Sequence, residues 1–141
     1  MVPEIKFTTY IAARPEKVWT AVSSQEHVRR WLSSATEWEP RLGGQVRMFG
    51  QDDKGTRFVM GGEMRVWDPP HRLEFVWAGL EPEPHPETYL EITLEPEGEG
   101  TRVTLRHYGF ADVPLFESYQ EGWGNPQKMF AKLAAVVQEA A

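Results

Sequence analysis

The sequence predicts an α+β fold, an antiparallel sheet with one apolar face covered by a C-terminal helix. Three observations carry this. Seven segments alternate apolar and polar residues with a period of two, and six of them follow one another between residues 36 and 108 with only turns between. Helical periodicity is confined to residues 15–31 and to the stretch after Val113. Strands and helices do not alternate, which argues against a parallel sheet. With 141 residues, no internal repeat and no linker-like stretch, the chain is expected to form one domain over residues 1–141.

Each element has its own signal. Residues 4–12, EIKFTTYIA, hold Ile5, Phe7 and Ile11 in one phase and predict the first strand. Pro15 stands where a first helical turn tolerates proline, and Val18, Trp19 and Val22 keep helical spacing to Ser23. Ser24 caps a second short helix that ends near Trp31. TEWEP predicts a short strand, and Gly43-Gly44 a turn. QVRMFGQ follows with Val46 and Met48 in phase, and DDKG reads as a hairpin turn. In TRFVMGGEMRVW, Phe58, Met60, Gly62, Met64 and Val66 share a phase, and the central Gly pair predicts a bend or bulge. RLEFVW, ETYLEITLE and RVTLRHY complete the meander, with AGLEPEPHP between the first two read as a Pro-rich loop. In the C-terminal stretch, Tyr119, Trp123, Phe130, Leu133 and Val137 form an apolar stripe. Pro126 predicts a break or a helix start near Gly124-Asn125-Pro126.

Composition narrows the function. The formal charge of −6 argues against a protein whose main task is to grip phosphate backbones, so no nucleic-acid partner is expected. The absence of cysteine removes disulfides, thiol nucleophiles and thiolate metal sites. MVPEIKFTTY shows no signal-peptide pattern, and no apolar run approaches the roughly 20 residues of a membrane helix, so a cytoplasmic protein without a membrane partner is expected. His27, His71 and His85 lie in or near turns or short helices, and no HExxH pattern occurs. His85 and Glu87 form an H-x-E string, but a zinc deaminase site also needs cysteine. Neither Gly-Gly pair fits a phosphate loop. No metal and no cofactor are therefore expected.

Five strings in order, ARPEKVWTAVSSQEHVRRW, PRLGGQVRM, GGEMRVWDPPHRLEFVW, GTRVTLRHYGF and EGWGNPQKMFAKL, resemble the activator-of-heat-shock-protein-90-ATPase homologue branch of the START-like superfamily. These proteins are also called polyketide-cyclase-like or helix-grip. The resemblance covers nearly the whole chain. It implies a helix-grip fold, with a seven-stranded antiparallel sheet curved around a long C-terminal helix and two short helices after the first strand. It also implies an apolar cavity between sheet and helix, without fixing a ligand.

Phase and resemblance together name candidate ligand-binding residues. The sheet would send Met48, Phe58, Met60, Met64, Trp77, Leu90 and His107 inward. Tyr119, Trp123 and Phe130 would face them from the C-terminal segment, and Trp31 would form the mouth. Small-molecule sites are apolar concavities with a few orienting polar groups, and methionine adds a deformable lining. The plainer alternative is that these side chains simply fill the core.

His107 shares its phase with Val103 and Leu105 and so belongs to the apolar face. Three readings are open. It is a core histidine satisfied by a hydrogen bond, to Tyr119 or a backbone carbonyl for example. It is a polar anchor at the inner end of a pocket. Or it is a general acid or base, which requires a positioned carboxylate; Glu63 and Glu91 fall on the outward phase. The outward phase, with Arg65, Glu74, Glu91 and Arg106 among others, reads as solvated. Tyr10, Phe49, Val76 and Tyr89 are exceptions that would suit a homodimer contact. The expected function is binding of a small hydrophobic or aromatic molecule. The alternatives are a cyclase- or dehydratase-like enzyme using the same cavity, and an interaction module for a chaperone or regulatory partner.

Overall fold

The computed structural model describes residues 2–140. In order, the chain forms β1 (Ile5–Ile11), α1 (Pro15–Ser23), α2 (Gln25–Trp31), β2 (Thr36–Trp38), β3 (Gln45–Gln51) and β4 (Arg57–Asp68). It continues with β5 (Arg72–Glu81), β6 (Thr88–Glu97), β7 (Gly100–Tyr108), α3 (Val113–Trp123) and α4 (Gln127–Glu139). The strands make one sheet in the order β1-β7-β6-β5-β4-β3-β2, antiparallel throughout. This is the predicted α+β, helix-grip arrangement.

The helices cover one face of the sheet. Val18 and Val22 of α1, Val28 of α2, and Leu133, Val136 and Val137 of α4 join Leu73, Phe75, Ile92, Leu94, Val103 and Leu105 of the sheet in one core. Burying such side chains is the main favourable term in folding. Two core tryptophans keep their indole N–H groups satisfied. Trp31 Nε1 donates to the Ala21 carbonyl and Trp38 Nε1 to the Ser23 carbonyl, each at 2.8 Å. Ser24 caps α2 as expected, its hydroxyl accepting from the His27 N–H at 3.3 Å.

The break expected near Gly124-Asn125-Pro126 is present: Gly124 sits at φ +58° and Pro126 opens the second of two C-terminal helices. Three details depart from the sequence reading. β5 runs on through Ala78 to Glu81, so the Pro-rich loop is shorter than AGLEPEPHP. The pairing of β4 with β5 shifts register between Met64 and Val66, which turns Trp67 toward α1, where its ring meets Trp19 edge-on at 5.2 Å. The glycine pair matters in the same strand: Gly61 has φ +144°, and a Cβ there would lie 2.0 Å from the Val46 carbonyl oxygen.

The third departure is on the outer face. Glu74 and Glu91 do point outward, but they are not solvated: they are 1% and 9% exposed. Tyr108 donates its hydroxyl to Glu74, and Arg65 Nε lies 3.0 Å from the same carboxylate. Arg72 reaches both glutamates, and Arg106 Nε lies 3.1 Å from Glu91. The guanidinium carbons of Arg65 and Arg106 stand 4.1 and 3.9 Å over the Tyr89 and Tyr108 rings. Arginine and tyrosine side chains from adjacent strands thus roof two carboxylates.

Candidate functional site

The sheet and the two C-terminal helices leave a partly open groove of about 640 Å³. β3, β4, β5 and β6 build its floor with Met48, Phe58, Met60, Trp77 and Leu90. Trp31 and Leu32, at the end of α2, close one side. Tyr119 and Trp123 face in from α3, and Met129 from α4. Phe58 reaches its place because Gly50 opposite has no side chain: a Cβ there would lie 2.3 Å from the Phe58 ring. Tyr119 and Trp123 are four residues apart on one helix and so share a face.

Eight of the eleven predicted residues line this groove, namely Trp31, Met48, Phe58, Met60, Trp77, Leu90, Tyr119 and Trp123. Three do not. Met64 is buried in the core between β3 and β5, opposite Phe75. Phe130 joins the core and turns toward β1, where it borders a shallow concavity with Phe7 and Ala134. His107 is fully buried behind Trp123. The sequence reading missed Leu32, Ser118, Gly122, Asn125, Lys128, Met129 and Lys132. Lys128 and Lys132 carried a legible signal, a pair of like charges at helical spacing beside the apolar stripe.

His107 has two hydrogen-bond partners, neither of them the expected Tyr119 or a backbone carbonyl. Trp123 Nε1 lies 3.0 Å from Nδ1, and Thr88 Oγ1 lies 2.7 Å from Nε2. The Thr88 hydroxyl donates to the Trp77 carbonyl at 2.6 Å. An indole N–H only donates, so Nδ1 accepts and carries no proton. The neutral ring therefore holds its proton on Nε2 and donates it to Thr88, whose own proton goes to Trp77. Every donor in this chain has one direction. Protonating Nδ1 would set two donors against each other, and burial holds the imidazole pKa down at about 4. Tyr119 packs its ring edge on the imidazole at 4.7 Å, and burial raises its phenol pKa.

α3 is the least anchored wall. None of its residues is buried, and its N-terminus rests on Asp112, which accepts from the Leu115 N–H at 2.9 Å. Removing that cap with Asp112→Ala is expected to cost the helix about 1 kcal/mol. The loss should appear as faster amide hydrogen exchange across residues 113–123 with little change in global Tm. A fall in global Tm without local exchange would mean that α3 unfolds only with the core. Among the described residues no group of three or more His, Asp or Glu side chains is placed to hold a metal ion, and no helix is long and apolar enough to cross a membrane.

Comparison with known proteins adds a family. The model of a family described as Activator of Hsp90 ATPase homolog 1-like protein matches residues 12–138. Among solved structures, a Rhizobium loti protein is 22% identical, with 95% of this chain and 96% of that chain covered and a TM-score of 0.78. A Mycobacterium smegmatis protein is 17% identical, with coverage of 94% and 89% and a TM-score of 0.78. A Chromobacterium violaceum protein is 23% identical, with coverage of 95% and 96% and a TM-score of 0.74. At these identities the likeness is one of fold. No curated protein sequence gives a significant match.

Proposed function

The chain belongs to the Activator of Hsp90 ATPase homolog 1-like family, and on that footing we propose that it binds a small apolar or aromatic molecule in the groove between sheet and C-terminal helices. One observation carries this reading. A partly open groove of about 640 Å³ lies beside the core, lined by three tryptophans and three methionines. That volume is within the usual span of small-molecule sites, about 300–1,000 Å³. Methionine side chains adapt to irregular ligands, and tryptophan offers flat apolar area with little rotamer entropy to lose. His107 serves as a positioning residue: it holds the Trp123 indole against the groove and fixes how α3 sits. An acid–base role for His107 would require it to give up one of its two partners, and no carboxylate is among them.

Native mass spectrometry of the freshly purified protein, compared with its denatured mass, tests for a retained ligand. Titration with decanol, followed by tryptophan fluorescence, tests the groove directly. Met60→Trp adds bulk at a half-buried lining position. It is expected to abolish decanol binding with little change in Tm. Undiminished decanol binding in that variant would remove the groove from the proposal.

A further inference from the structure

We infer that the molecule held in this groove is an amphipathic anion, an apolar chain or ring ending in one carboxylate, with its body against Trp31, Met60 and Trp77 and its head group on Lys128 and Lys132. This rests on the binding reading above and narrows its ligand class.

The argument is one of charge placement. The chain carries 21 acidic and 15 basic residues, and only five of the basic ones are lysines. Two of those five lysines line this groove, and no aspartate or glutamate does. The concavity beside Arg14 is bordered by Glu16 and Glu99, and the one beside Arg57 by Glu81. The concavity beside Lys6 has one cation and no carboxylate; against a net charge of −6, the groove with two cations and no anion is the stronger local reversal of sign.

The two lysines are also four residues apart on α4, a spacing that brings their side chains together and destabilises a helix when the charges are alike. Among the described residues, neither ammonium has a carboxylate within the 4.0 Å of an ion pair. The arginines over the outer face are matched by Glu74 and Glu91. No lysine among the described residues is ion-paired, but only here do two such charges stand four residues apart beside an apolar groove, where one anion would neutralise both. A carboxylate has two oxygens, one for each ammonium. The Ser118 and Tyr119 hydroxyls border the same groove and make no hydrogen bond to a described residue, so they are free to bond a polar head group.

Decanoate, decanol and decyltrimethylammonium share a chain and differ in head-group charge. Titrated against the intact protein by tryptophan fluorescence, decanoate is expected to bind about tenfold more tightly than decanol, as two exposed charge contacts would allow. The cationic probe should bind most weakly. Raising salt from about 0.05 M to about 0.5 M should narrow the decanoate advantage. Lys128→Gln with Lys132→Gln should reduce decanoate affinity to that of decanol, and Lys→Arg at both positions should preserve the preference. Equal binding of decanoate and decanol by the wild type, or a preference that survives the double Gln variant, would overturn the anion assignment while the groove reading stands. If none of the three probes binds below its micelle concentration or, for decanol, its solubility limit, the groove reading falls and the assignment falls with it.

Discussion

Acidification from about pH 7 to about pH 4 is expected to remove about 3 kcal/mol of folding stability through His107 alone. The native imidazole pKa is held down at about 4 by burial, against an ordinary value of 6.5. Between these values the unfolded chain binds a proton that the folded one refuses, so stability rises with pH across that window. It is fully present above about pH 6.5 and lost as pH falls toward 4. Carboxylates titrate in the lower part of the same range, so the measurement is comparative: urea unfolding of the wild type and of His107→Phe at both pH values. Near pH 7 the variant should be less stable by about 1–3 kcal/mol, because the Trp123 N–H loses its acceptor. Thr88 keeps its bond to the Trp77 carbonyl. Near pH 4 the gap should close or reverse. Parallel pH profiles for the two proteins would mean that the imidazole titrates alike in the folded and unfolded states.

The second large effect is on the opposite face. Replacing Arg65 and Arg72 together by methionine is expected to cost about 2–4 kcal/mol, because Glu74 stays buried without a cation. The two arginines are 45% and 40% exposed, which keeps the figure near the low end of what broken buried pairs cost. Glu74→Gln removes the buried charge itself. The arginines then hydrate, and the Tyr108 hydroxyl still finds an amide oxygen. This single change should cost about 1 kcal/mol. Urea denaturation at neutral pH decides between the two. A Glu74→Gln variant less stable than the double methionine variant would show that the carboxylate, and not its neutralisation, holds this face together.

The meander was legible because a period of two over six consecutive segments has few other solutions, and the short helices announce themselves through Pro15 and Ser24. The burial of Glu74 and Glu91 was not. Their outward phase is correct, but their cover comes from Arg65, Tyr89, Arg106 and Tyr108 on neighbouring strands. That requires strand order and register, which no single segment encodes. Val66 shares the inner phase in the sequence, but the register shift gives that side to Trp67, since a slip of one residue moves a side chain to the other face. The sheet side of the groove followed from phase. Its α4 side did not, because the turn at Gly124 rotates the second helix so that Phe130 and Leu133 meet the core while Lys128, Met129 and Lys132 meet the groove. At His107, Tyr119 and Trp123 lie one turn apart on the same face of α3, and the sequence does not distinguish packing partner from hydrogen-bond donor.

The strand order has a consequence for how the chain assembles. From β2 to β7 every pairing joins sequence neighbours, so each hairpin closes over a short loop. β1 is the exception: Ile5 pairs with His107, across about a hundred residues of chain. Loop-closure entropy grows slowly with length, but contacts this distant form late. During synthesis β1 has no strand partner until β7 has emerged, and α1 lacks its α4 neighbours Leu133, Val136 and Val137 until the end of the chain is made. The last strand made is then the one that seats the first, and His107, opposite Ile5 on that strand, gains its Trp123 donor only when α3 follows.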